Sequence, residues 1–130
     1  MTVSPPDPAV AGSEGFGDDR CRAMLSRSAT GRVALVVDAL PYVHPVRYAL
    51  AGGHILVGVS AQTLAAVMDD VILALQADGY DEDLGRRWNV LAVGPASRAE
   101  SARERCPDVL AGERFVFRLR PRLLSGGWLG

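Results

Sequence analysis

The sequence predicts a single, mainly β domain: an antiparallel barrel of six strands with two or three short helices. Three observations carry this. The chain has 130 residues, enough for one real core and too few for two. About six short apolar runs recur between Gly, Pro and Asp turn residues, as strands of an all-β domain do. No strand–helix–strand rhythm of the parallel α/β kind is present.

Taking the elements in order, residues 1–17 contain Pro5, Pro6, Pro8 and several Gly, and read as a disordered lead-in before a domain spanning 18–130. They lack the basic and apolar regions of a signal peptide. Asp18 and Asp19 then suit a helix N-terminus, and Cys21, Met24 and Leu25 fall at i, i+3 and i+4 on a short helix ending near Ser28. Ala29-Thr30-Gly31 breaks it. Val33–Val37 is a continuous aliphatic run, the pattern of a strand buried on both faces. Asp38-Ala39-Leu40-Pro41 is a turn, and Tyr42–Leu50 returns as a second strand. Pro45 removes a ladder hydrogen bond there, so it predicts an edge or a bulge. After Ala51-Gly52-Gly53, His54–Val59 forms a third strand.

The period then changes. Leu64, Val67 and Met68 repeat at helical spacing within Ser60–Met68, and Val71–Ala77 is the fourth, strongly apolar strand. The acidic stretch Asp78–Asp83 reads as a solvated loop, because its carboxylates lack calcium-loop spacing. Trp88–Val93 alternates as a fifth strand. Ser101-Ala102-Arg103-Glu104 has the form of a weak capping box opening a helical turn up to Cys106. In Arg114–Arg120, Phe115, Phe117 and Leu119 share one face, and Arg114, Val116, Arg118 and Arg120 share the other.

Composition narrows the function classes. Apolar residues make up 48% and charged residues 22%, the balance of a globular protein, and the formal net charge of −1 gives no general pull toward nucleic acid or an anionic membrane. No apolar run approaches the ~20 residues that span a bilayer, and the chain is expected in the cytoplasm. All 14 basic residues are Arg, so neither a Schiff-base lysine nor a lysine phosphate ligand exists. Cys21 and Cys106 lie far apart without metal spacing and read as reduced, structural thiols. No metal site is expected.

Four stretches in this order carry a resemblance. They are Thr30-Gly31-Arg32-Val33-Ala34 after the first helix, Pro41-Tyr42-Val43-His44-Pro45-Val46-Arg47-Tyr48, Arg87–Ala96 (RWNVLAVGPA), and Arg118-Leu119-Arg120-Pro121 with Ser125-Gly126-Gly127-Trp128. Together the chain resembles the pyridoxamine 5′-phosphate oxidase-like family of FMN-binding split barrels from Asp18 to the C-terminus. The resemblance implies a six-stranded antiparallel split β-barrel and a homodimer with FMN in a groove between the two barrels. It also implies groove contacts by Arg47, Tyr48, Val59, Ser60, Thr63, Leu64 and Trp128.

The family clamps the flavin phosphate with a segment of the form R-T-x-x-G-x-K. The corresponding stretch here is Gly58-Val59-Ser60-Ala61-Gln62-Thr63-Leu64, so the Arg falls on Gly58 and the Lys on Leu64, and no Arg or Lys occurs between Arg47 and Arg86. Losing two cationic partners costs roughly 3 to 6 kcal/mol of phosphate binding. Ser60 and Thr63 retain neutral donors, and Gly58→Arg with Leu64→Lys would rebuild the clamp. Arg47 stands where the family commonly has Asn. It either supplies phosphate charge from another direction, for FMN or for the anionic tail of a deazaflavin, or pairs with a surface carboxylate such as those near Asp81.

The remaining candidates read as structural. His44 and His54 lack metal spacing, with an axial haem role for His44 left as an alternative. Ser60 has no nucleophile elbow. Trp88 suits the core or a dimer interface, and Arg118 and Arg120 suit a solvated face. No side chain has the setting of an obligatory acid or base. Two functions stand: a flavin- or deazaflavin-binding, oxidoreductase-like protein, or a degenerate split-barrel dimer that binds another small molecule or a protein. Because Val33–Val37 and Val71–Ala77 are apolar on both faces and one barrel covers one face, the sequence also predicts homodimerisation.

Overall fold

The computed structural model describes residues 15–99 and 107–129, which form seven strands and three short helices. The helical turn predicted at Ser101–Cys106, and Cys106 itself, lie outside the described residues. The first helix, α1 (Asp18–Leu25), begins with two acids in its first turn and buries Cys21, Met24 and Leu25 as the spacing predicts. Burial raises the pKa of the Cys21 thiol, with Asp18 adding to the effect.

Strands β1 (Thr30–Val37) and β2 (Leu40–Ala51) form a hairpin whose two-residue turn, Asp38-Ala39, has φ of 51° and 64°. Strand β3 (His54–Val59) leads into α2 (Gln62–Met68), which buries Leu64, Ala65 and Met68. Strands β4 (Val71–Asp81) and β5 (Arg86–Arg98) form a long hairpin. The residues Asp78–Asp81, expected in a loop, continue β4 opposite Arg86–Asn89. After α3 (Pro107–Leu110), β6 (Phe115–Leu119) and β7 (Leu123–Leu129) complete the chain.

The sheet order is β4-β1-β2-β3-β6-β5-β7, and β4 also pairs with β5. The ladder therefore closes into a six-stranded antiparallel barrel, with β7 an additional strand on the half of β5 that β6 does not reach. That seventh strand is the Ser-Gly-Gly-Trp tail, which shows no alternation in sequence. Inward side chains from every wall strand, among them Val33, Tyr48, Val57, Leu75, Trp88 and Phe117, form one core. Val116, assigned to a polar face by alternation, is buried instead under α3 with Leu56 and Leu110.

The aliphatic runs are not buried on both faces within this chain. Val33 and Leu35 are fully enclosed, whereas Val36 is 67% exposed; Leu73 and Leu75 are enclosed, whereas Ile72 is 61% exposed. The end of the lead-in is attached to the barrel: Gly15 bridges Gly127, and the Phe16 N–H donates to the Gly126 carbonyl at 2.9 Å.

Candidate functional site

The β2–β3 ladder ends at Arg47↔Gly58, while β1–β2 pairing runs on to Val37↔Leu40 and β3–β6 pairing to Val59↔Phe115. Beyond Arg47, β2 has β1 on one side and no strand on the other. Pro41 and Pro45 lie in that single-sided half, where a missing N–H costs no ladder bond. The wall thus opens between β2 and β3.

At the opening lies a cleft of about 350 Å³, lined from β1 and β2 by Thr30 and His44–Arg47, from β3 and α2 by Gly58–Ala61 and Leu64, and from the α3–β6 loop by Glu113. Alternation sets the facing: Val46 and Tyr48 point into the core, so Arg47 between them points out. Glu113 is held by its own N–H, which donates to the Leu110 carbonyl at 3.1 Å. Its Oε2 accepts a hydrogen bond from Ser60 Oγ at 2.6 Å, and its Oε1 lies 3.9 Å from Arg47 Nε. The Glu113 side chain is only 13% exposed. A Cβ built on Gly58 would come within 2.7 Å of Glu113 Cγ and 2.9 Å of Leu110 Cδ2.

Of the residues expected at the site, Arg47, Val59, Ser60 and Leu64 meet at this cleft. Tyr48 does not line it: the ring is buried, and its hydroxyl donates to the Leu25 carbonyl at 2.6 Å. Thr63 is exposed on α2 and lies outside the lining. Trp128 sits on β7, edge-on to Phe16 at 5.3 Å between centroids, with the guanidinium carbons of Arg20 and Arg86 at 5.4 and 5.1 Å from its ring centre. Arg47 pairs with Glu113 rather than near Asp81. Asp81 itself accepts from the Leu84 N–H at 2.9 Å and from Arg27 at 2.7 Å, and these hold its carboxyl below the usual range. Rebuilding a clamp with Gly58→Arg is sterically opposed, because the Glu113 stem already fills that space.

His44 lines the cleft, and His54 lies at the far end of the β2–β3 ladder, paired with Ala51. Burial, then Arg118 and Arg120, lower the His54 pKa. Among the described residues no three His, Cys, Asp or Glu side chains are grouped to hold a metal, and no helix is long and apolar enough to cross a membrane. Glu113 was not legible from sequence. Its partner Ser60 is 53 residues away, and no local pattern marks it.

The chain belongs to the pyridoxamine 5′-phosphate oxidase family, whose model matches residues 17–125. Solved structures share the fold. The FAD-binding protein from Mycobacterium smegmatis superposes with a TM-score of 0.72 at 17% identity, over 89% of this chain and 97% of that one. An FAD-binding protein from Mesorhizobium loti gives 0.70 at 18%, over 89% and 97%. The FAD- and haem-binding protein from M. smegmatis gives 0.69 at 15%, over 89% and 73%. A search of curated proteins finds no match.

Proposed function

We propose that the chain is a flavin-binding, oxidoreductase-like split-barrel protein that acts as a homodimer, with the flavin in the cleft at the β2–β3 opening. The observation that carries this reading is the coincidence of site and resemblance. The cleft lies where Pro41–Tyr48 and Gly58–Leu64 come together, the two segments that the family resemblance assigns to the flavin groove. Several fold neighbours bind FAD.

The lining suits part of such a ligand. Pro45, Ala61 and Leu64 offer apolar surface to a ring system, and Thr30, His44, Arg47 and Ser60 offer polar groups to its edge or its ribityl chain. The volume lies within the range of small-molecule sites. A bound flavin, or a deazaflavin, would supply the redox chemistry, and this chain's residues would bind and orient it. We assign no catalytic acid or base.

The test is the visible spectrum of the purified protein before and after addition of riboflavin, FMN and FAD. A flavin band, or saturable quenching of flavin fluorescence, is the expected result. A colourless protein that ignores all three at millimolar concentration overturns the reading. One observation favours the second reading, a degenerate split barrel for another small molecule or a protein partner: the cleft's Arg47 already faces a carboxylate of the same chain.

A further inference from the structure

We propose that the Gly58–Glu113 end of the cleft rejects a phosphate, so that the preferred ligand is a flavin whose ribityl chain ends in a hydroxyl, as in riboflavin. This rests on the flavin reading above and names the ligand class for the same site.

The argument begins with which groups face the cleft. Among the described residues that line the cleft, Arg47 is the only cation with a fixed charge, and the Glu113 carboxylate lies beside it, so the two formal charges cancel. The Ser60 hydroxyl hydrogen is directed to Glu113 at 2.6 Å, leaving oxygen lone pairs toward the cleft. Carboxylate and hydroxyl therefore both present acceptors. Acceptors suit a ligand that brings donors, and ribityl hydroxyls are donors. A phosphate carrying close to two negative charges at neutral pH brings almost only acceptors and meets a carboxylate of like charge.

Glu113 is also built into this position. Its stem packs where a Cβ on Gly58 would stand, and Leu110, which is fully buried, backs the same spot. The backbone bond from Glu113 N–H to the Leu110 carbonyl fixes the loop that carries it. Swinging the carboxylate away would break the Ser60 bond and open a gap against Gly58. A charge placed so as to penalise one ligand among close relatives is a recognised route to specificity.

Fluorescence-quenching titrations of riboflavin and FMN into wild type and Glu113→Gln test this. The amide keeps an acceptor for Ser60 and nearly the same shape, but removes the charge. Wild type is expected to bind riboflavin at least about tenfold more tightly than FMN at low salt, with the gap narrowing as salt screens the repulsion. Glu113→Gln is expected to shift the riboflavin-to-FMN affinity ratio by about tenfold toward FMN, because FMN loses a repulsion and the ribityl hydroxyls of riboflavin lose a charged acceptor. Wild type binding FMN as tightly as riboflavin overturns the proposal while leaving the flavin reading intact. A folded Glu113→Gln protein with an unchanged ratio does the same. If that variant does not fold, the wild-type ratio and its salt dependence decide. If neither riboflavin nor FMN binds, this inference falls, and the flavin reading falls with it if FAD also fails to bind.

Discussion

Tyr48 shows how one residue links the helix to the barrel. Its ring fills the core, and its hydroxyl donates to the Leu25 carbonyl at the end of α1, a carbonyl that also accepts from the Ser28 N–H at 3.3 Å. Tyr48→Phe removes one of two donors to that oxygen, so a loss of about 1 kcal/mol in urea unfolding is expected. Burial pushes the phenol up to about 12 from an ordinary value near 10. Because the folded state favours the neutral phenol, this contribution is fully present below pH 10 and is lost as pH rises through 12. Wild type should therefore lose stability over that interval more steeply than Tyr48→Phe, and urea midpoints at pH 8 and 11 measure it. The inward direction of Tyr48 follows from strand alternation with Val46. The resemblance of Pro41–Tyr48 to the family's groove segment implies a groove contact for Tyr48, but it is the neighbouring Arg47 that lines the cleft. Glu113 was beyond reach, since what gives it a role is a fold that carries the α3–β6 loop over to Ser60.

At the scale of elements, Gly94 marks where β5 changes partner. Val93 is the last β5 residue paired with β7, and Ala96 is the first paired with β6. Between them the β6–β7 connection is tied down by Arg120 N–H to the Pro95 carbonyl at 3.0 Å and Arg122 N–H to the Val93 carbonyl at 2.8 Å. A Cβ on Gly94 would be driven into the Arg120 carbonyl oxygen, so Gly94→Ala must move backbone. We expect a loss of about 1 to 3 kcal/mol, read as a lower Tm together with weaker hydrogen-exchange protection along β7. Alternation in sequence supports the fifth strand only over Trp88–Val93, whereas pairing to β4 and β6 carries β5 through Gly94-Pro95 to Arg98. The runs in β1, β3, β4 and β6 were legible because their inward positions are aliphatic or aromatic. β7 was not, since Ser125-Gly126-Gly127 offers no period and the strand is held by pairing to β5. Phe16 extends the same logic beyond the N-terminus of α1. It packs edge-on to Trp128, so Phe16→Ala should cost about 1 kcal/mol in thermal unfolding, whereas removing residues 1–14 should leave Tm nearly unchanged, as their composition holds no apolar period.

For the whole molecule, the exposed aliphatic side chains are not scattered. The registers align Val43, Ala34, Ala74, Val93 and Leu123 in one row across β2, β1, β4, β5 and β7. Two residues further along β1 and β4, past the last β1–β4 pair Ala34↔Ala74, Val36 stands opposite Pro41 and Ile72 opposite Pro95. This is a continuous apolar band on the outer wall, and its β2 edge adjoins the cleft at Pro45. Bands of this kind on small proteins mark interfaces, because water gains when they are covered. Self-association through the band would make the aliphatic runs buried on both faces, as their sequence suggests. Light scattering on wild type should give about twice the 13.8 kDa chain mass at micromolar concentration. Val36→Lys with Ile72→Lys should give a folded monomer, because both side chains are largely exposed in the single chain and the new charges would face each other across a two-fold interface. The Tm of wild type should rise with protein concentration, and that of the double variant should not. A wild-type monomer removes the homodimer from the proposed function. A double variant that still dimerises as tightly as wild type moves the interface to another wall of the barrel.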